Sequence, residues 1–358
     1  MQVDEFLKKM VQCGGSDAHL KVGMPPGVRI SGEILPQGEA PLRPEHTLAI
    51  AQALLDEEQW KTFEERGDLD CSYSIAGVAR FRVNVMRQRG SISLVLRYIP
   101  ERIPTFEELG LPEICKTLAA KPRGLVLVTG PTGSGKSTTL AAMIDLINSR
   151  EQGHILTMED PIEFLHRDKK CYINQREIGS DTADFSEALR RALRQDPDVI
   201  LVGEMRDLET ISLAVTAAET GHLVLATLHT TSAMKTIDRI VNVFPPEQQT
   251  QIRMQLAGTL QGIVSQTLIP KIGGGRVAAL EVLVALDSVR AIVRENKMAQ
   301  LATAMQTGKQ YGMQMLEDDL NKLVASRTIT YEHATSKANA PQVIQDVGGS
   351  PKPAGARA

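Results

Sequence analysis

"GLVLVTGPTGSGKSTTL", Gly124 to Leu140, is the stretch on which the fold turns. It opens with a strand-length apolar run, Gly124 to Thr129, and closes in a helical run from Lys136. Between them Gly130 to Ser137 matches G-x-x-x-x-G-K-[ST] without a gap. Gly130, Gly133 and Gly135 let the backbone wrap closely, so that successive N–H groups converge on phosphate oxygens, with Thr132 and Ser134 completing the loop. Lys136 is placed to bridge β- and γ-phosphates and Ser137 to ligate Mg2+. Thr138 starts the helix whose positive end faces the anion. A chance glycine turn would require neither the strand nor the helix, and both are present. The stretch predicts a nucleoside triphosphate site.

Further along, "HILTM", "DVILVGE" and "HLVLATLH" are short runs rich in Val, Ile and Leu, and helical segments separate them. Near-continuous apolar strands alternating with helices predict an α/β fold with a parallel sheet covered on both faces. After about residue 235 the pattern turns mostly helical. In such sheets ligands collect at the carboxyl ends of the strands. "DVILVGEMRD" puts Glu204 at such an end, where an Asp is usual, placed to hold Mg2+ through water or to polarise the attacking water. "HILTMEDPIEF" supplies Glu159, Asp160 and Glu163, with Pro161 setting the turn. A carboxylate beside a γ-phosphate can orient water for in-line attack, whereas any single acid here could equally be a solvated one.

"TGHLVLATLHTTSA", Thr220 to Ala233, brackets an apolar strand with His222 and His229. Seven residues of strand span roughly 23 Å, so the two rings cannot share one metal ion. The odd spacing also directs them to opposite faces. His229, at the carboxyl end, is expected beside the phosphates as a polar sensor. His222 is expected near the far edge, structural or reached from a neighbouring subunit.

The chain of 358 residues is long enough for two domains. Residues 1–99 read as a small α/β unit that ends in a meander of strands. There Arg80 and Arg82 in "VARFRVNV" and Arg97 in "LVLRYIP" form either a solvated face or arginine fingers toward a phosphate in an adjacent subunit. "PERIPTFEELGLP", 100–112, is a proline-punctuated linker. Residues 113–335 form the second domain, and 336–358, rich in Pro, Gly and Ala, read as a disordered tail. A net charge of -3 and only 4% aromatics argue against a nucleic-acid partner. Four scattered cysteines form no C-x-x-C pair, which predicts reduced thiols and no zinc site. No apolar run approaches the ~20 residues of a transmembrane segment, and the start lacks a leader pattern.

Taken together, "GGSDAHL", "GPTGSGKSTT", "MEDPIEF", "INQREIG", "RQDPDVILVGEMRD" and "TGHLVLATLHTTSA" resemble, in order and spacing, the ATPases of type II secretion and type IV pilus systems. The resemblance spans about residues 1–335, and within that superfamily it is to the type IV pilus retraction ATPases. It implies a PAS-like N-terminal domain, a RecA-like P-loop C-terminal domain and a homohexameric ring that binds ATP and Mg2+. It also implies that Glu163 activates water, Glu204 serves the metal, Arg82 and Arg97 approach the γ-phosphate, and His222 and His229 lie near the nucleotide. The implied function is ATP-driven pilus retraction by a cytoplasmic protein peripheral to the inner membrane, docked on an inner-membrane platform protein and working with a possible paralogous retraction ATPase. An accessory retraction ATPase is the alternative, and a nucleic-acid translocase a more remote one. The resemblance implies that a short N-terminus and the lack of a four-cysteine zinc motif would set the chain apart from the extension and secretion relatives, which usually carry both an extra N-terminal domain and that motif. "SVRAIVRE", Ser288 to Glu295, stands where retraction motors have a motif close to A-I-R-N-L-I-R-E. It keeps Arg290, Arg294 and Glu295 but departs at Ser288 and Ala291. Thr231 likewise replaces a common Asn.

Overall fold

The computed structural model describes residues 2–30, 32–75, 77–100 and 102–346. It divides into two compact units: Met1–Arg102 with Glu163–Leu165, and Ile103–Ile162 with His166–Ala358. The chain passes from the first to the second at Arg102/Ile103 and returns to the first only for Glu163–Leu165.

The first unit runs α1 (Val3–Gln12), β1 (Asp17–Lys21), β2 (Gly27–Ile30), β3 (Glu33–Pro36), α2 (Pro44–Leu54), α3 (Glu57–Arg66), β4 (Asp68–Ile75), β5 (Ala79–Gln88) and β6 (Ser91–Ile99). The strands make one antiparallel sheet in the order β3-β2-β1-β6-β5-β4. Alternation decides its faces. Phe81, Val83 and Val85 of β5 are fully buried with Leu7, Leu20 and Phe63, while Arg80, Arg82 and Asn84 between them are only partly buried. Arg82 is the register partner of Arg97, so both stand on the same face.

The second unit runs α4 (Phe106–Leu109), α5 (Glu113–Ala119), β7 (Gly124–Thr129), α6 (Lys136–Arg150), β8 (His154–Glu159), β9 (Tyr172–Glu177), α7 (Phe185–Ala192), β10 (Val199–Val202), α8 (Leu208–Glu219), β11 (Leu223–Leu228), α9 (Ala233–Asn242), α10 (Gln249–Thr259), β12 (Leu260–Pro270), β13 (Arg276–Val284), α11 (Asp287–Arg294), α12 (Leu301–Thr307), α13 (Leu316–Ala325) and α14 (Tyr331–Thr335). The sheet order is β13-β12-β7-β11-β10-β8-β9, parallel throughout except for the β12/β13 hairpin. Every residue of β7, β10 and β11 is buried. Leu125 and Leu127 pack into a core with α8 and α10, while Val126 and Val128 pack into another with α6. Each such side chain contributes about 1.5–3 kcal/mol by leaving water, which is why these strands carry no polar alternation. Registers pair Thr129 with Leu228, and Val202 with both Ala226 and Met158, so the carboxyl ends of β7, β11, β10 and β8 lie side by side.

Two expectations are qualified by the structure. The region after 235 is helical as expected except for β12 and β13, which form a long hairpin that continues the sheet beyond β7. β12 mixes Gln261, Ser265, Gln266 and Thr267 among apolar residues and is buried through most of its length, so it shows no clean strand alternation. The tail expected to be disordered also begins packed. The Asn339 and Ala340 N–H groups donate to Glu317 Oε1 at 2.8 and 3.0 Å, and Ile344 is buried. The rest of that expected tail, 347–358, lies outside the described residues. Among the described residues no helix is long and apolar enough to cross a membrane.

Candidate nucleotide site

The loop between β7 and α6 has its backbone shape imposed by glycine. Gly130, Gly133 and Gly135 all have positive φ, at 144°, 76° and 89°. A Cβ on Gly130 would sit 2.2 Å from the Gln266 carbonyl oxygen, so the loop can lie against β12 only with glycine there. Gln266 clamps the loop from β12: its Nε2 donates to the Ser134 carbonyl at 2.6 Å and its Oε1 accepts from Thr139 Oγ1 at 2.9 Å. Lys136 curls its ammonium into the loop and donates to the carbonyls of Gly130 and Pro131 at 3.0 and 3.3 Å. Burial pulls its pKa below the ordinary lysine range, against the pull of the Glu204 charge. A phosphate entering this loop meets a cation already gathered inside it, at the N-terminus of the 15-residue helix α6.

Glu204 follows β10 and His229 follows β11, two strands that pair in register. His229 Nε2 lies 3.0 Å from Glu204 Oε1, and His229 Nδ1 lies 3.4 Å from Thr132 Oγ1. Arg206 holds the same carboxylate, with Nε 2.6 Å from Oε1 and Nη2 2.7 Å from Oε2. Burial pushes the Glu204 carboxyl up, but hydrogen bonds from Arg206 and His229 outweigh it and hold the pKa below the usual glutamate value. The phosphate loop is thus wired through Thr132 and His229 to the acid at the end of β10.

Among the described residues no cluster of three His, Cys, Asp or Glu side chains could hold a metal ion. Ser137 is exposed in the first turn of α6, and its hydroxyl has no protein partner among the described residues. One free hydroxyl and one nearby carboxylate fit a Mg2+ that arrives with phosphate oxygens and water as its other ligands. They do not fit a resident metal.

The structure therefore brings Thr132, Lys136, Glu204 and His229 together, with Gly130, Gly133, Ser134, Gly135, Ser137 and Thr138 forming the loop and helix start. The other expected residues have surroundings of their own. Glu163 is exposed in the β8–β9 crossover and makes no hydrogen bond or ion pair among the described residues. Arg82 and Arg97 belong to the first unit, where Arg97 Nε donates to the buried Asp17 at 2.8 Å. His222 stands at the opposite end of β11, its Nδ1 2.9 Å from the Ala217 carbonyl in the last turn of α8. That position makes it a partner for a helix end rather than for phosphate.

The sequence model of the type II/IV secretion system protein family matches residues 66–338. The chain belongs to that family. It is 53% identical over 342 residues to the type IV pilus retraction ATPase PilT of Pseudomonas aeruginosa, covering 96% of this chain and 99% of that one. It is 42% identical over 340 residues to the type IV pilus ATPase PilU of the same organism, covering 95% and 89%. Among solved structures, the pilus retraction motor PilT with bound ADP superposes at a TM-score of 0.90 and 49% identity, covering 96% of this chain and 98% of that one. The Legionella pneumophila ATPase DotB gives 0.82 at 30% identity, covering 93% and 94%.

Three contacts in this family member are not announced by residue spacing. Gln266 lies on β12, far along the chain from the loop it clamps. Arg206 is visible two residues after Glu204, but nothing in the sequence says that it turns back onto it. Arg290, one of the residues kept in "SVRAIVRE", donates through Nη1 to the Ala257 and Gly258 carbonyls at 2.6 and 2.9 Å. It thereby satisfies the last turn of α10, while Val289, Ile292 and Val293 are buried.

Proposed function

We propose that this protein is the motor ATPase of a type IV pilus retraction system, coupling ATP hydrolysis to pilin depolymerisation and twitching motility. The observation that carries it is 53% identity to the PilT retraction ATPase across nearly the whole of both chains. The wired phosphate loop supplies the chemistry.

In this reading Lys136 leaves the loop carbonyls to neutralise the β- and γ-phosphates, and the Gly130–Gly135 backbone cradles them. Bound Mg2+ adds charge neutralisation at the transferring phosphoryl group. Ser137 and, through water, Glu204 would hold it. Glu163 orients and deprotonates the attacking water. His229 reports phosphate occupancy from Thr132 to Glu204. Arg82 and Arg97 share one face of an antiparallel sheet, and they are read as arginine fingers that stabilise developing γ-phosphate charge when a homohexameric ring closes. The first unit is taken as PAS-like and the second as RecA-like. The protein works in the cytoplasm, peripheral to the inner membrane, against a platform protein, with a paralogous retraction ATPase as a possible partner. The accessory reading is weaker, since identity to PilU is 42%.

The test is a strain lacking this gene and every paralogue. Complementation with the wild-type chain should restore motility and clear excess surface pili, and Lys136→Ala should not. Purified protein should hydrolyse ATP only with Mg2+. Retraction by the Lys136→Ala strain would refute the proposal.

A further inference from the structure

The stretch "YINQRE", strand β9, belongs to a motif that has no role in the chemistry above. It is the outer strand of its sheet, and it is joined to β8 by the crossover of residues 160–171, which carries Glu163. Gln175 and Glu177 alternate along it and so share a face. Both reach back to that crossover. Gln175 Oε1 accepts the His166 backbone N–H at 2.8 Å, and its Nε2 donates to Glu159 Oε1 at 3.2 Å. Glu177 Oε2 accepts the Ile162 backbone N–H at 3.1 Å, and both Glu177 and Ile162 are buried. Neither N–H has a backbone partner among the described residues. The chain is therefore pinned immediately before and immediately after residues 163–165 by side-chain acceptors on one strand.

The rest of the crossover is tied to the phosphate-loop helix. Asn148, fully buried on α6, accepts the Lys169 and Cys171 N–H groups at 3.0 and 3.2 Å and donates to the Arg167 carbonyl at 2.8 Å. In a segment without helix or ladder such bonds do much of the ordering, since each residue left free regains about 1–2 kcal/mol of conformational entropy.

We propose that Gln175 and Glu177 are positioning residues for Glu163. By fixing the N–H groups at Ile162 and His166, they set where the Glu163 carboxylate stands when it activates water. The inference rests on the reading of Glu163 as the base, and it assigns to the outer strand a part in catalysis rather than in fold alone.

The test uses the purified full-length protein, with steady-state ATPase assays, binding of a fluorescent ADP analogue and thermal melts. Gln175→Ala and Glu177→Ala should lower kcat about tenfold to a hundredfold, as sub-ångström to ångström misplacement does. The KM for ATP and the ADP affinity should stay within about twofold. Glu177→Gln, whose amide oxygen still accepts the Ile162 N–H, should recover kcat to within about threefold of wild type. The double variant Glu163→Gln with Gln175→Ala should be no slower than Glu163→Gln, because both act through one carboxylate. Gln175 is only half-buried, so its variant keeps the test open if Glu177→Ala does not fold. Wild-type kcat in Gln175→Ala, ADP affinity falling in step with kcat, or multiplicative losses in the double variant would each overturn the proposal. Wild-type turnover by Glu163→Gln would instead remove the reading of Glu163, and the proposal with it, and is recognised from that variant alone.

Discussion

His229 Nε2 stands 3.0 Å from Glu204 Oε1, and its other ring nitrogen faces Thr132 of the phosphate loop. A carboxylate only accepts, so Nε2 donates to Glu204, while Nδ1 shares a hydrogen bond with the Thr132 hydroxyl. Phosphate in the loop competes for that hydroxyl, and the change is felt at Glu204. His229→Ala should therefore lower kcat about tenfold or more, while ADP affinity stays within about threefold and circular dichroism is unchanged. Wild-type ATPase activity and pilus retraction in this variant would mean that the contact is incidental.

Arg206 competes with any cation for the Glu204 carboxylate. The arginine is largely exposed, so the pair contributes only about 0.5–1 kcal/mol after solvent screening. Arg206→Ala should lower the Mg2+ concentration that gives half-maximal ATPase activity by about twofold to fivefold, as that energy implies. A Mg2+ titration decides it. An unchanged or raised midpoint would show that Glu204 does not serve the metal, or that Arg206 helps rather than blocks it.

Gly130 has both a positive φ and a backbone oxygen where its Cβ would go. Gly130→Ala must move β12 away from the loop or distort the loop itself, at a loss of about 2–4 kcal/mol in urea unfolding. Nucleotide binding should disappear with it. Gly133→Ala, which meets only open space, should be strained by its φ but not by contact, and should lose about 1 kcal/mol. Equal losses in the two variants would place the effect in the backbone angle rather than in the packing against Gln266.

The contrast between Gly130 and Gln266 shows what the sequence could and could not reveal. The phosphate loop is contiguous, so its chemistry is legible as a string with a strand before it and a helix after it. Glu204 and His229 are legible one step further, because each ends an apolar run and such ends align in a parallel sheet. Gln266 is not, since its strand shows no clean alternation and is placed only by the pairing of Ser265 with Thr129. His222 was separable from His229 by strand length, yet its actual partner, the end of α8, depends on how a helix packs. Glu163 is legible only in part. Its motif names it, but the backbone on either side of it donates to acceptors on β9 that no spacing announces.

Glu281 on β13 is buried and accepts the Ala233 N–H at 2.6 Å, at the start of α9. Burial, together with the nearby Glu317 charge, pushes its carboxyl above the ordinary value of 4.5, while the Ala233 N–H and Lys235 pull the other way. The folded state therefore binds this proton more tightly than the unfolded chain does. Its contribution is fully present below the unfolded value and is lost as pH rises through the raised folded value. Glu281→Gln abolishes the titration, and its amide oxygen still accepts from Ala233. The variant should melt higher than the parent at about pH 7, and the difference should shrink toward zero by about pH 4. Thermal melts of both proteins across that range check it. A variant less stable than the parent at neutral pH would show that the ionised carboxylate, facing the N-terminus of α9, is the form the fold prefers.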